Sequence, residues 1–162
     1  MTWLIAIVSA LILLFGFVVL FGAPYLPTLK KQTETALDLL DLKPSQILLE
    51  LGCGDGRVLK AAAHRGLKAI GYELNPILVL IAKLHTWRYH KEVKIIWGNY
   101  WTQPWPEADA IFVFLLNKFM VKLDNKVTQE CSRPVKLVSF AFKVPTRKIT
   151  KQKDGLYLYR YD

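Results

Sequence analysis

The stretch Glu50-Leu51-Gly52-Cys53-Gly54-Asp55-Gly56-Arg57 holds the residues with the most chemistry in them. A short apolar run, Ile47-Leu48-Leu49, precedes it, and a helix-forming run, Val58 to Ala63, follows. Strand, glycine turn and helix in that order let bare backbone lie against a ligand, since no side chain blocks the approach. The helix aims its N-terminal N–H groups at the same place. A dinucleotide fingerprint needs G-x-G-x-x-G; here Gly56 comes one position early and Arg57 stands where the last glycine belongs. A phosphate loop needs G-K-S/T, which is absent. Glu50 at the strand end would also repel a pyrophosphate, so Glu50 and Asp55 suit a cationic or polyhydroxyl ligand. A second acid, Glu73, ends the next strand-like run, Lys68 to Tyr72. An acid about 20 residues past a glycine turn grips a ribose diol in doubly wound folds. A tight turn with no ligand is the plain alternative, and two independently placed features weigh against it.

These residues need strands to carry them. Thr28 is expected to cap a helix running to Leu42, and Gln46–Leu51 reads as the first strand. Gly66 is the expected cap of the helix after the glycine turn. Leu67–Glu73 is a second strand, and Asn75-Pro76 opens a helix to about Tyr89. Val93–Trp97 is a third strand. Asp109–Leu116, apolar throughout its interior, is a fourth, buried on both faces. A helix over Met120–Cys131 and a fifth strand, Val135–Phe142, follow. Asp154-Gly155 between Thr146–Gln152 and Leu156–Tyr161 is a hairpin signal. The pattern predicts an α/β fold: a seven-stranded Rossmann-like sheet, parallel in its first five strands, with a C-terminal antiparallel hairpin.

Met1 to Ala23 carries no charge, and Trp3–Phe21 is nearly all apolar. That length matches the ~30 Å hydrocarbon thickness of a bilayer, so residues 1–23 are expected to be one transmembrane anchor. Residues 24–45 would be linker and capping helix, and 46–162 a single catalytic domain. Lys30 and Lys31 after the run place that domain on the cytoplasmic side. All of the formal charge of +9 lies beyond the apolar run. Ten Lys or Arg fall between Lys118 and Lys153. Anionic lipid or plain solvent explains them better than nucleic acid does. Cys53 and Cys131 read as free thiols, and no His/Cys cluster suggests a metal.

The glycine turn with its two acids resembles the S-adenosylmethionine site of class I methyltransferases. More narrowly, the chain resembles a group of single-span, membrane-anchored protein lysine methyltransferases, whose relatives act on the c-ring protein of ATP synthase and on the adenine nucleotide carrier. The matching stretches are Gly22–Thr28, Glu50–Val58, Gly71–Pro76, Gly98-Asn99 and Val138–Pro145. The resemblance implies S-adenosylmethionine as cofactor, a membrane protein as substrate and the bilayer as partner through the N-terminal helix. It implies Gly52, Gly54 and Gly56 as the floor under the cofactor, with Glu50 near its amino-acid end and Cys53 and Asp55 in the same loop. Glu73 would take the ribose hydroxyls, Leu74 would pack on the adenine and Asn99 would bond its edge, with Tyr100 and Leu115 completing the wall. Tyr25 would cover the site. Asn117, with Phe114 and Phe140, would line the acceptor slot and is the candidate catalytic residue. The loop Phe114-Leu115-Leu116-Asn117 lacks the N-P-P-Y element of nucleobase and glutamine methyltransferases. Two other functions stay open: methylation of a small membrane-borne molecule such as a quinone or lipid, and non-catalytic cofactor binding.

Overall fold

Short apolar runs alternating with helix-forming runs require a sheet with helices on its faces. The computed structural model describes residues 2–9 and 27–162. In chain order its elements are α1 (Lys30–Leu40), β1 (Ile47–Leu51), α2 (Arg57–His64), β2 (Lys68–Glu73), α3 (Pro76–His85), β3 (Val93–Trp97) and β4 (Ala110–Val113). They continue with α4 (Met120–Glu130), β5 (Val135–Phe140), β6 (Lys151–Lys153) and β7 (Leu156–Tyr161). Residues 2–9 are helical and exposed.

The strands form one sheet in the order β3-β2-β1-β4-β5-β7-β6. β1 to β5 are parallel, and β7 runs antiparallel between β5 and β6. The chain steps outward from β1 to β3, then returns to the other side of β1 as β4. That reversal opens a crevice at the carboxyl ends of β1 and β4.

Side chains alternate across a strand, so β1 feeds two cores. Leu48 packs with Ala36, Leu40, Leu59 and Ala62 beneath α1 and α2. Leu49 and Leu51 pack with Met120, Leu123 and Val127 of α4 on the other side. No helix follows β3 among the described residues; the segment 98–109 covers that face instead. Trp105 is buried there, donating Nε1–H to the Tyr100 carbonyl at 2.8 Å. Tyr72 holds the same segment by donating its hydroxyl to the Pro104 carbonyl at 2.8 Å.

Several expectations are corrected. Thr28 does not cap α1: Leu29 holds that position without a side-chain bond, and the Thr28 carbonyl accepts from Arg57 instead. The helix stops at Leu40 because Asp41 turns left-handed, φ 45°. The helix after Pro76 ends at His85 and gives way to a 3-10 turn, Trp87–Tyr89. β4 is shorter than its apolar run, since Phe114–Leu116 leave the sheet toward a 3-10 turn at Asn117–Phe119. β5 ends at Phe140, where Ala141 adopts φ 67°. The first hairpin strand is Lys151–Lys153 alone. Thr146 and Arg147 are drawn off to Asp124 of α4, which keeps that part of the chain out of the sheet. Asp154 and Gly155 have φ 50° and 77°, the pair of positive values that a tight two-residue hairpin requires.

The expected anchor, residues 1–23, falls mostly outside the described residues. Among the described residues no helix is long and apolar enough to cross a membrane.

Candidate active site

β1 delivers Glu50 to the crevice, and the glycine turn carries the backbone around it. The N–H groups of Gly52 and Cys53 both donate to the Tyr72 carbonyl, at 2.9 and 2.8 Å, tying the turn to the end of β2. Gly52, Gly54 and Gly56 have φ of 84°, 53° and 77°. These are left-handed values that L side chains rarely adopt. Glu73 closes the arrangement: Oε2 accepts from Gly54 N–H at 2.9 Å and Oε1 from Asn75 N–H at 2.8 Å. Asn75 caps α3 by accepting from Ile77 N–H at 2.9 Å, with Pro76 at the first helical position as expected. Each carboxylate oxygen retains a second lone pair for a hydroxyl.

Two observations bear on whether S-adenosylmethionine fits. Glu50 is 5% exposed, and its Oε2 is buried without a hydrogen-bond partner among the described residues. Burial, with Asp55 and Glu73 nearby, pushes its carboxyl well above the usual carboxylate range. A buried acid in that condition calls for a cation, and the cofactor carries both an ammonium and a sulfonium. Gly52 is exposed, and a Cβ built on it would meet nothing within 4 Å, so the bend borders open space. The donor set fits such a cofactor: Glu50 would meet its cationic end, Gly52 would allow close approach and Glu73 would take the diol.

Asp55 faces its own loop. Arg57 grips it with Nε to Oδ1 at 3.0 Å and Nη2 to Oδ2 at 2.8 Å, while Nη1 reaches the Thr28 carbonyl at 3.2 Å. His85 Nδ1 lies 3.0 Å from the Asp55 carbonyl. Burial alone would raise the Asp55 carboxyl, but the bonds from Arg57 outweigh it and hold the acid below its ordinary value. In the sequence Arg57 stands out only as a violation of the dinucleotide pattern. The acid two residues before it is the available sign of a brace. Cys53 turns its thiol into the core, where burial pushes it up; only its backbone borders the turn.

The remaining candidates lie around the crevice. Leu74 is half-buried, and its carbonyl accepts from Trp97 Nε1–H at 3.1 Å. Asn99 Oδ1 already accepts from Trp101 N–H at 2.9 Å, so its amide nitrogen is the atom with no such engagement among the described residues. Tyr100 stacks beside Trp101 with ring centroids 4.9 Å apart, and burial raises its phenol, with a smaller push from Glu73. Leu115 is buried beneath the β4 end. Phe114 and Phe140 form a tilted pair, centroids 4.6 Å apart, beyond the paired residues Val113 and Ser139. Asn117 is exposed at the start of its 3-10 turn. Tyr25 lies outside the described residues.

The ANTKMT methyltransferase domain model matches residues 50–151. The chain is 35% identical over 132 residues to the adenine nucleotide translocase lysine N-methyltransferase of Mus musculus, covering 76% of this chain and 55% of that one. It is 30% identical over 124 residues to the Homo sapiens lysine N-methyltransferase named for the C-subunit of ATP synthase, covering 75% and 53%. The chain thus spans about half the length of these curated relatives. A protein-lysine N-methyltransferase of Saccharolobus islandicus is 29% identical over 148 residues, with 84% of this chain and 92% of that one covered. Among solved structures, an RNA methyltransferase from Salinibacter ruber in complex with S-adenosyl-L-homocysteine superposes with TM-score 0.76 at 26% identity, covering 84% of this chain and 92% of that one. Glycine turn, acid pair, strand order and family match agree, and the chain belongs to the ANTKMT methyltransferase family, with the fold of S-adenosylmethionine-dependent methyltransferases.

Proposed function

We propose that this protein methylates lysine side chains of a membrane-associated protein, using S-adenosylmethionine. The observation that carries the reading is the buried Glu50 carboxyl, whose Oε2 has no hydrogen-bond partner among the described residues, beside the bare bend at Gly52. Relatives named for lysine methylation of an ATP synthase component and of a nucleotide translocase support the choice of acceptor. The uncharged run from Met1 to Ala23 supports a site held near a bilayer, with the domain on its cytoplasmic side.

When bound, the cofactor supplies a methyl group activated on sulfur. This chain has only to orient it and admit the acceptor, and orientation of this kind is worth ~7–11 kcal/mol. Glu50 holds the amino-acid end, Glu73 the ribose, and Leu74 with Asn99 and Tyr100 the adenine. Gly54 and Gly56 let the loop backbone follow. A lysine acceptor reacts only as the neutral amine, and its ordinary pKa is ~10.4. The half-buried rings of Phe114 and Phe140 favour the neutral form by desolvation. Asn117 offers the amine an amide oxygen at the rim.

The test is transfer of tritium from labelled cofactor into membranes, followed by separation of protein, lipid and nucleic acid. Label in lysine of the protein fraction is expected, with loss in Glu73→Ala. Label confined to the organic extract or to RNA would overturn the acceptor assignment, and cofactor binding without any transfer would overturn the enzyme reading.

A further inference from the structure

The outer face of α3 differs from those of the other helices. α1, α2 and α4 turn mainly charged and polar residues to solvent, as helices lying on a sheet do. α3 buries Val79 and Ala82, yet also presents Ile77, Leu80 and Leu84 outward, 45%, 60% and 68% exposed. At 100° per residue these three lie within about 60° of one another. Trp87, 75% exposed in the turn just beyond, continues the line. Trp97 is 65% exposed, and its indole is tied to the Leu74 carbonyl just ahead of α3.

The border of this face is cationic. Lys83, Arg88 and Lys91 are exposed, and Glu92 is the one acid between residues 76 and 94. Large apolar side chains and tryptophan on one face, with Lys and Arg beside them, are the composition of a helix that lies in a bilayer interface. We infer that the outer face of α3 is a docking surface for an anionic lipid bilayer.

Charge favours lipid over a second copy of the chain. Two-fold pairing through this face would set each cationic border against its own image, on a protein of formal charge +9. A second apolar surface of the same chain is also open: Trp3, Leu4 and Ile5 in the helical residues 2–9 are 82%, 70% and 60% exposed. One lipid phase receives both. Because Asn75, the cap of α3, has its N–H held by Glu73, docking there sets the candidate cofactor site beside the membrane surface. Such docking is independent of which acceptor is methylated.

The full chain carrying Cys131→Ser and a single accessible thiol at Leu84→Cys is labelled with an environment-sensitive fluorophore; Cys53 stays buried. The control thiol is Gln129→Cys, exposed on α4 across the sheet. Vesicles of phosphatidylcholine with phosphatidylglycerol are expected to shift the position-84 emission to the blue. Brominated acyl chains should quench it by about twofold or more, as burial at the acyl boundary requires. The position-129 label should do neither, and vesicles of phosphatidylcholine alone should give a weaker response. A position-84 label that stays solvent-like while the chain sediments with vesicles overturns the inference. So does a blue shift that grows with protein concentration without lipid, which is the signature of a second copy. Equal responses to charged and neutral vesicles overturn the anionic assignment.

Discussion

Gly54 donates its backbone N–H to Oε2 of Glu73 at 2.9 Å, across 19 residues of chain. The glycine turn and the acid that ends β2 are therefore one assembly, and neither takes its position without the other. Glu73→Gln tests this. A carboxamide accepts through one atom only, so one of the two N–H groups at Gly54 and Asn75 would face an NH2 donor. Loss of a bond to a charged group is expected to lower stability by about 1.5–3 kcal/mol. Calorimetry with S-adenosylhomocysteine should show at least about tenfold weaker binding, which is 1.4 kcal/mol or more. Unchanged melting and unchanged affinity would refute the single-assembly reading.

Glu50 gives a pH dependence of known sign. Its carboxyl is raised in the folded chain by burial and by Asp55 and Glu73. The unfolded chain releases that proton above about pH 4.3, while the folded chain keeps it longer. Stability of the cofactor-free protein therefore falls as pH rises from that point and levels off beyond the folded value. Glu50→Gln removes this slope, so its melting temperature should pull ahead of the parent as pH increases. The gain should grow as pH rises above about 4.3 and level off beyond the folded value. The same variant should bind S-adenosylhomocysteine poorly. A variant both less stable and equally good at binding would argue against a cation partner for Glu50.

Gly71 sits where a side chain would strike Cys53. A Cβ there would lie 2.5 Å from Leu59 Cδ1 and 2.7 Å from the Cys53 Sγ and Cβ. Gly71→Ala should cost about 1–3 kcal/mol by overpacking. Denaturant titration of Gly71→Ala, Cys53→Ala and the double variant should give a coupling of at least about 0.5 kcal/mol. Strict additivity would show that the two positions relax independently.

Asp124 ties α4 to the rest of the chain through Thr146 Oγ1 at 2.5 Å, Tyr161 Oη at 2.8 Å and the Arg147 guanidinium. Burial alone would raise its carboxyl, but these hydrogen bonds outweigh burial and hold it below the ordinary value. Its contribution is therefore complete above about pH 3.9 and is lost as pH falls through the lower folded value. Asp124→Asn should lose about 3 kcal/mol near neutral pH. In urea melts the gap to the parent should narrow below about pH 4. A constant gap would mean that the carboxylate charge is not what holds the cluster.

Asn117→Ala separates turnover from cofactor binding. The side chain is exposed at the rim and belongs to neither core. The expected result is a fall in kcat/KM of about tenfold, equal to 1.4 kcal/mol, with affinity for S-adenosylhomocysteine and melting temperature kept. Unchanged turnover would remove Asn117 from the acceptor slot.

What the sequence makes legible is set locally. The glycine turn, the Asn75-Pro76 start of α3, the bounds of β3 and the Asp154-Gly155 turn each follow from residues within a few positions of one another. What it hides is set by distant partners. Thr28 looks like a cap until Arg57, 29 residues away, claims its carbonyl. Residues 146–150 look like a strand until Asp124 pulls Thr146 and Arg147 aside. The run to Leu116 reads as one long strand because burial, not pairing, makes Leu115 apolar. Asn99 reads as free to bond an adenine edge because its bond to Trp101 N–H is invisible in composition. The exposed face of α3 is missed for the same reason, since a row of Ile and Leu gives no sign of which side the sheet takes.

The place of β7 bears on how the chain is made. It lies between β5 and β6 but is synthesised after both. While a nascent chain is still emerging, β5 has a neighbour on one side only, and its free edge, Val135–Phe140, is open to other chains. Crowding on the ribosome, or any delay in producing Leu156–Tyr161, should therefore favour aggregation over native assembly, and holdase chaperones should matter most in that interval.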